Sequence, residues 1–189
     1  IGKQMFQGCT ALVNFIVPDN VTLIGERAFQ GCTNLKTLTF PASYKAETLS
    51  FGLTPFVSCP AFEGYVIEDG ASIVRTEDGT LLAGGGKVLV SLPRDFKGTS
   101  YTVPDGVETI SDYLFYKNTT ITSVTLPASL KKIGTAAFQG CTKLTSIALP
   151  DGFTTLGEHA FDGCSGLKTV TFGQSLTAVP AYAFSNCSA

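Results

Sequence analysis

The chain has 189 residues, 44% of them apolar, with 13 basic and 15 acidic side chains for a net charge near −2. The basic residues are scattered rather than gathered into a phosphate-binding stripe, which argues against nucleic acid as a partner. No stretch reaches the roughly 18 consecutive apolar residues of a membrane span, and nothing at Ile1 has the form of a signal peptide.

From the N-terminus, Ile1-Gly2-Lys3-Gln4-Met5-Phe6 occupies the phase of Ile24-Gly25-Glu26-Arg27-Ala28-Phe29, so the sequence begins in mid-repeat and reads as a piece of a longer chain. The step from Phe6 to Phe29 is 23 residues, and the same step links Phe115, Phe138, Phe161 and Phe184. A constant step of this size marks a solenoid, in which each coil buries its apolar side chains only against its neighbours. A single solenoid domain over 1–189 is therefore expected.

Each coil carries two apolar pulses. The first, as in Leu12-Val13-Asn14-Phe15-Ile16-Val17, has the period of two of a short strand. Pro18, Pro41, Pro104, Pro127 and Pro150 then end it, because proline lacks the N–H that a ladder needs. The second pulse, as in Ile133-Gly134-Thr135-Ala136-Ala137-Phe138, is too short for a full helix and is expected to form an extended piece followed by one helical or 3₁₀ turn. Stacking in register would give a parallel sheet with about 4.8 Å between strands.

The rhythm breaks in the middle, where Phe29 to Phe56 is 27 residues and Phe56 to Phe115 is 59. Phe51-Gly52 keeps the phase of Ile24-Gly25, so four extra residues fall between Pro41 and Phe51, in a loop expected to bulge outward. Counting back from Val124 and Leu126 places the next strand at Tyr101 and Val103, which leaves seven strands in phase. Between them, residues 68–100 hold Ser72-Ile73-Val74-Arg75, Thr80-Leu81-Leu82 and Lys87-Val88-Leu89-Val90. Glu77-Asp78-Gly79 and Gly84-Gly85-Gly86 separate these segments, as in a β-hairpin insertion of two or three strands laid against or extending the stack.

Six cysteines would permit three disulfides, but Cys9, Cys32, Cys59, Cys141, Cys164 and Cys187 each follow a repeat phenylalanine by three residues, with Asn118 in that place after Phe115. One shared repeat position implies a ladder of buried, reduced thiols rather than a disulfide framework, and stacked equivalents do not converge as zinc ligands must.

The coil Leu-Thr-Ser-Ile-x-Leu-Pro-x-x-Leu-x-x-Ile-Gly-x-x-Ala-Phe-x-Gly-Cys resembles the BspA-like bacterial-surface leucine-rich repeats. Ile1 to Pro41, Phe56 to Ile67, Tyr101 to Pro150 and Asp151 to Cys187 follow it. The segment Glu77-Asp78-Gly79-Thr80-Leu81-Leu82 with Leu92-Pro93 is similar to a hairpin variant of the same family. Asn118, Ser111, Gly173 and Pro180 depart from the pattern. The resemblance implies an α/β leucine-rich solenoid from a secreted or cell-surface protein, and it implies binding or adhesion rather than catalysis, with no cofactor.

His159 is the sole histidine and stands where other coils have Gln4, Arg27, Thr54, Tyr113, Ala136 and Tyr182, a variety expected of solvated surface. A Cys164–His159 nucleophile pair would need a cysteine outside the packing ladder. Gly84-Gly85-Gly86-Lys87 lacks the first glycine of a phosphate loop, since Leu81 stands there. Asn20, Asn118 and Asn186 begin glycosylation-type triplets, with Asn118 expected to be buried in the ladder.

Geometry identifies a better candidate surface. Residues flanking the inward strand position point outward. They are Asn14 and Ile16, Thr37 and Thr39, Gly64 and Val66, Ser100 and Thr102, Ser123 and Thr125, Ser146 and Ala148, and Thr169 and Thr171. Nine of these fourteen bear hydroxyls, making a flat, uncharged face suited to a protein or glycan. The rival contact is the insertion, through Arg75, Glu77 and Asp78. A structural spacer, and an enzyme with a site in the insertion, are the competing functions, and end-to-end self-association is a further expectation.

Overall fold

The computed structural model describes residues 1–92 and 96–189; Pro93 of the expected hairpin variant lies outside the described residues. The chain divides into two compact units, Ile1–Gly86 with Val90–Arg94 and Lys87–Leu89 with Asp95–Ala189. Both are built of stacked coils whose first-pulse strands pair in parallel.

In the first unit the strands are β1 (Asn14–Ile16), β2 (Leu23–Ile24), β3 (Thr37–Phe40), β4 (Ser50–Phe51), β5 (Gly64–Ile67), β6 (Val74–Arg75) and β7 (Leu81–Ala83). After β8 (Val88–Ser91), the second unit continues with β9 (Ser100–Thr102), β10 (Thr109–Ile110), β11 (Ser123–Thr125), β12 (Lys132–Ile133), β13 (Ser146–Ala148), β14 (Thr155–Leu156) and β15 (Thr169–Thr171). The seven in-phase strands of the first pulse are present, as two sheets in the orders β1-β3-β5 and β15-β13-β11-β9. Register follows the repeat, with Phe15 opposite Leu38 and Ile147 opposite Val170.

The second pulse forms its own parallel ladder, β2 with β4 in the first unit and β10 with β12 and β12 with β14 in the second. The insertion joins this ladder rather than lying against it. Val88 and Leu89 pair in parallel with Thr109 and Ile110, while β6 and β7 make the antiparallel hairpin. Gly84, Gly85 and Gly86 form the turn into β8, all with positive φ.

No helical turn follows the second pulse among the described residues. Backbone donors there alternate. Ala28, Gln30 and Cys32 donate to the carbonyls three residues back, while Arg27, Phe29 and Gly31 donate to Leu53, Pro55 and Val57 of the next coil. A helix would direct every N–H along its own axis, so sending each second one across the stack excludes it. The alternation requires two left-handed residues per coil, at Arg27 (φ 52°) and Gly31 (φ 73°), and the first of these positions has positive φ in all seven coils. The variable place that holds His159 is therefore constrained in backbone though varied in side chain.

Between the ladders lies a column of rings. Phe115, Phe138, Phe161 and Phe184 stack at 4.7, 5.0 and 5.2 Å with interplanar angles of 9°, 5° and 1°. In the first unit Phe6, Phe29 and Phe56 stack at 5.2 and 5.6 Å. Coils approach closely beside this column. A Cβ on Gly25 would lie 2.8 Å from the carbonyl carbon of Gly2, and one on Gly157 would meet the Gly134 backbone.

In the long connection after Pro41 the four extra residues are 45–48, of which Lys45, Glu47 and Thr48 are exposed, while the residues on either side stay in the core. Tyr44, Ala46 and Leu49 are buried, the Tyr44 ring packs edge-on against Phe40 at 5.0 Å, and its hydroxyl donates to Val21 O at 2.5 Å. Burial pushes that phenol up to about 12. Tyr44 stands three residues after Pro41 as Leu130 does after Pro127, so it fills a regular core position of the repeat and is not one of the added residues.

All six cysteines are free thiols, but only Cys32, Cys59, Cys141 and Cys164 are buried. Cys9 is exposed and Cys187 half-buried, which corrects the expectation of six buried thiols. Asn118 is half-buried rather than fully enclosed, its Oδ1 accepting from Thr120 N, Thr120 Oγ1 and Ile121 N.

Candidate functional site: the outward face of the first strands

In the second unit the outward positions form two straight rows. Ser100, Ser123, Ser146 and Thr169 are in register along one, and Thr102, Thr125, Ala148 and Thr171 along the other. All eight are exposed, while Val124 and Ile147 between the rows face the core. The adjoining column behaves differently: Thr122 Oγ1 donates to Thr99 O at 2.9 Å and Thr145 Oγ1 to Thr122 O at 3.2 Å. Its hydroxyls are spent on the neighbouring coil, whereas those of the two rows make no bond to another described protein group.

The first unit carries the same positions with another chemistry. Asn14, Thr37 and Gly64 are in register, as are Ile16, Thr39 and Val66. Thr37 and Thr39 are half-buried, and Thr37 Oγ1 donates to Asn14 Oδ1 at 2.8 Å. Ile16 is 67% exposed and Val66 45%, so apolar side chains flank Thr39 in the row where the second unit carries mostly hydroxyls. Beside it an open groove of about 700 Å³ is lined by β5, the turn after it, and β6, including Val66, Val74 and Arg75.

The insertion residues separate in role. Arg75 and Glu77 are exposed on β6 and its turn. Asp78 is held by that turn, accepting from Thr76 Oγ1 and from Thr80 N at 3.0 Å. Partial burial raises its carboxyl, and these hydrogen bonds outweigh that and leave it below the ordinary range. Its Oδ1 is thus occupied in shaping the turn.

A polar cluster not anticipated from the sequence lies on the turn side of the second unit. Asp162 accepts from Asn186 Nδ2 at 2.9 Å and Gln139 Nε2 at 2.8 Å, and His159 Nδ1 lies 3.2 Å from its Oδ2. These bonds, the one from Asn186 foremost, lower the Asp162 carboxyl. The His159 ring stacks on Tyr182 at 5.1 Å, so this histidine is half-buried and engaged rather than merely solvated. The 23-residue step did contain the signal, since Gln139 and Asp162 occupy one repeat position and meet in the stack. Cys164 points away from this cluster, donating to Phe138 O at 3.1 Å. Its thiol is pushed well up, first by the hydrogen bond with Cys141 and then by burial, which opposes a nucleophilic role.

A family model described as the BspA type leucine rich repeat region matches residues 1–73 and 94–189, in six copies. Among solved structures, a leucine-rich repeat protein from Eubacterium ventriosum ATCC 27560 superposes with TM-score 0.59 at 20% identity, over 93% of this chain and 64% of that one. The pneumococcal vaccine antigen PcpA gives TM-score 0.59 at 26% identity, over 85% of this chain and 44% of that one. A leucine rich cell surface protein from Faecalibacterium prausnitzii A2-165 gives TM-score 0.59 at 26% identity, over 100% of this chain and 61% of that one. The chain thus spans 44 to 64% of the length of these relatives. No curated protein matches it.

Proposed function

The chain belongs to the BspA type leucine-rich repeat family, and from that membership we propose that it is a non-enzymatic module of a bacterial cell-surface protein that binds another macromolecule, in adhesion, through the outward face of its first strands. The observation that carries this reading is the pair of exposed hydroxyl rows, in register over four strands and unspent on the protein's own structure. Side chains on a sheet start from fixed positions, so contact with a partner orders little that is not already ordered. The Faecalibacterium relative is a leucine rich cell surface protein, which supports the location.

The test is capture of host extracellular proteins and glycans by the parent chain and by two altered chains. Thr125→Arg with Ser146→Arg places long charged side chains in the rows and is expected to abolish capture while leaving the melting temperature unchanged. Arg75→Glu with Glu77→Lys is expected to leave capture intact. The groove beside β5, with Val66, Val74 and Arg75, favours a second reading in which the insertion makes the contact. Loss of capture in the insertion pair with retention in the arginine pair would select it.

A further inference from the structure

The break in the repeat leaves β5 with an unused edge. Gly64 N and Glu68 N donate to Lys36 O and Phe40 O, so Gly64, Val66 and Glu68 turn their backbone groups toward β3. Backbone direction alternates along a strand, and the N–H and C=O of Tyr65 and Ile67 therefore point the other way. β3 has a neighbouring strand on each side, whereas β5 pairs with no described strand on that outer side. Neither proline nor lysine occurs in Gly64–Ile67 to discourage pairing, as such residues do on protected edges.

This edge opens onto the groove of about 700 Å³, where Tyr65, Val66 and Ile67 are lining residues together with Ile73, Val74 and Arg75. Space thus lies beside the unpaired backbone groups, with Ile73 buried and Val66 and Val74 exposed around it. The charge of the groove is one-sided. Glu68 and Asp69 line it against Arg75, the single cation among its described lining residues, and the flanking Glu63 and Glu77 are exposed. Glu68 keeps one carboxylate oxygen on Ala42 N at 2.9 Å, which leaves the other to a ligand. Unpaired strand edge, adjoining volume and acidic charge together specify an occupant with a free backbone and positive side chains.

We propose that this groove takes an extended, basic segment of another polypeptide as a further parallel strand on β5, with apolar residues alternating with Lys or Arg. In this stack the residues whose backbone faces the preceding coil carry outward side chains, as Val66 does, so the basic residues of the segment are those that pair with β5. One of them donates its N–H to Tyr65 O and accepts from Ile67 N, its cation lies toward Glu68 and Asp69, and the apolar residues turn inward with Ile73. None of these residues belongs to the hydroxyl rows, and the site goes beyond the contact proposed for them.

The test titrates a fluorescent peptide of alternating lysine and valine into the 189-residue chain, read by anisotropy, with amide exchange followed by NMR. Saturable binding that weakens with added salt is expected, together with slowed exchange of the Tyr65 and Ile67 amides. Methylating the lysine amide nitrogens is expected to weaken binding about tenfold, the equivalent of roughly two lost hydrogen bonds, whereas methylating the valine nitrogens leaves it nearly unchanged. A peptide with glutamate in place of lysine should not bind, and Asp69→Lys should weaken the lysine peptide severalfold. No binding, equal binding of the glutamate peptide, equal loss from the two methylations, or unchanged exchange at Tyr65 and Ile67 would overturn the proposal. Thr125→Arg with Ser146→Arg alters only the hydroxyl rows and is expected to bind the peptide as the parent does, so that failure of the face and failure of the groove are read separately. Loss of the peptide in that chain would overturn the groove as its site.

Discussion

The Sγ of Cys164 donates to the carbonyl oxygen of Phe138 at 3.1 Å, and the same oxygen accepts the N–H of Cys141 at 3.1 Å. The arrangement recurs for Cys32 on Phe6 O, Cys59 on Phe29 O, Cys141 on Phe115 O and Cys187 on Phe161 O, at 2.9 to 3.2 Å. The repeat position thus calls for a small side chain with a weak donor aimed along the stack. Removing the donor alone, in Cys164→Val, is expected to cost about 1–2 kcal/mol from lost hydrogen bonding and altered packing, measured by chemical denaturation. Cys164→Val as stable as the parent would show the hydrogen bond to be incidental.

Thiol reactivity should follow burial. In the native protein Cys9 is expected to react rapidly with an aromatic disulfide reagent and Cys187 slowly, while Cys32, Cys59, Cys141 and Cys164 stay protected. Burial is the leading cause that raises the Cys32, Cys59 and Cys187 thiols, which further slows their attack. Denaturation without reductant should release all six. Fewer than five would refute the free-thiol ladder.

Gly157→Ala would drive a methyl into the Gly134 backbone of the preceding coil. Backbone on both sides cannot yield as a flexible side chain would, so a loss of about 1–3 kcal/mol or more is expected in the unfolding free energy. Gly106→Ala is a control for space alone, since nothing lies within 4 Å of an added Cβ there, although its φ of +87° carries its own strain. Equal stability of the Gly157→Ala protein and the parent would mean that the coils can separate without cost.

Thr54 is an exposed β-branched residue held at φ 47°. A left-handed backbone is costly for any residue with a Cβ, so Thr54→Gly is expected to stabilise the protein by about 1 kcal/mol, visible as a rise in melting temperature. A fall would show that side-chain contacts of Thr54 outweigh the relief of backbone strain.

Asp162 predicts an acid limb of stability. Its folded carboxyl is lowered from 3.8, principally by the Asn186 amide and also by Gln139 and His159, so the unfolded state binds its proton more tightly. The stabilisation is present above the unfolded value and is lost as pH falls through the folded one. Asp162→Ala is therefore expected to lower the melting temperature at neutral pH and to converge with the parent at pH values well below 4. A constant gap across that range would show that the residue contributes packing rather than charge.

The repeat itself was readable because its determinants are local and recur. A phenylalanine every 23 residues, a strand of period two, a proline stop and an Ile-Gly pair must each satisfy the same neighbour, so one coil explains the next. The outward residues of the first strands followed from alternation alone, and the family match over residues 1–73 and 94–189 agrees with the coil read from those residues. The expected helical turn failed because propensity within a coil carries no record of donors that cross to the next, as those of Arg27, Phe29 and Gly31 do.

Sequence alone determined the stacked leucine-rich coil, the column of phenylalanines and the common place of the thiols, because a short-period repeat turns every local preference into a ladder. Tertiary structure decided where β8 enters the second ladder and which hydroxyls are spent and which are free. Thr122 and Ser123 are adjacent in sequence and alike in chemistry, yet one bonds Thr99 O and the other faces solvent. The difference arises only when a neighbouring coil presents a carbonyl to one side of the strand and nothing to the other.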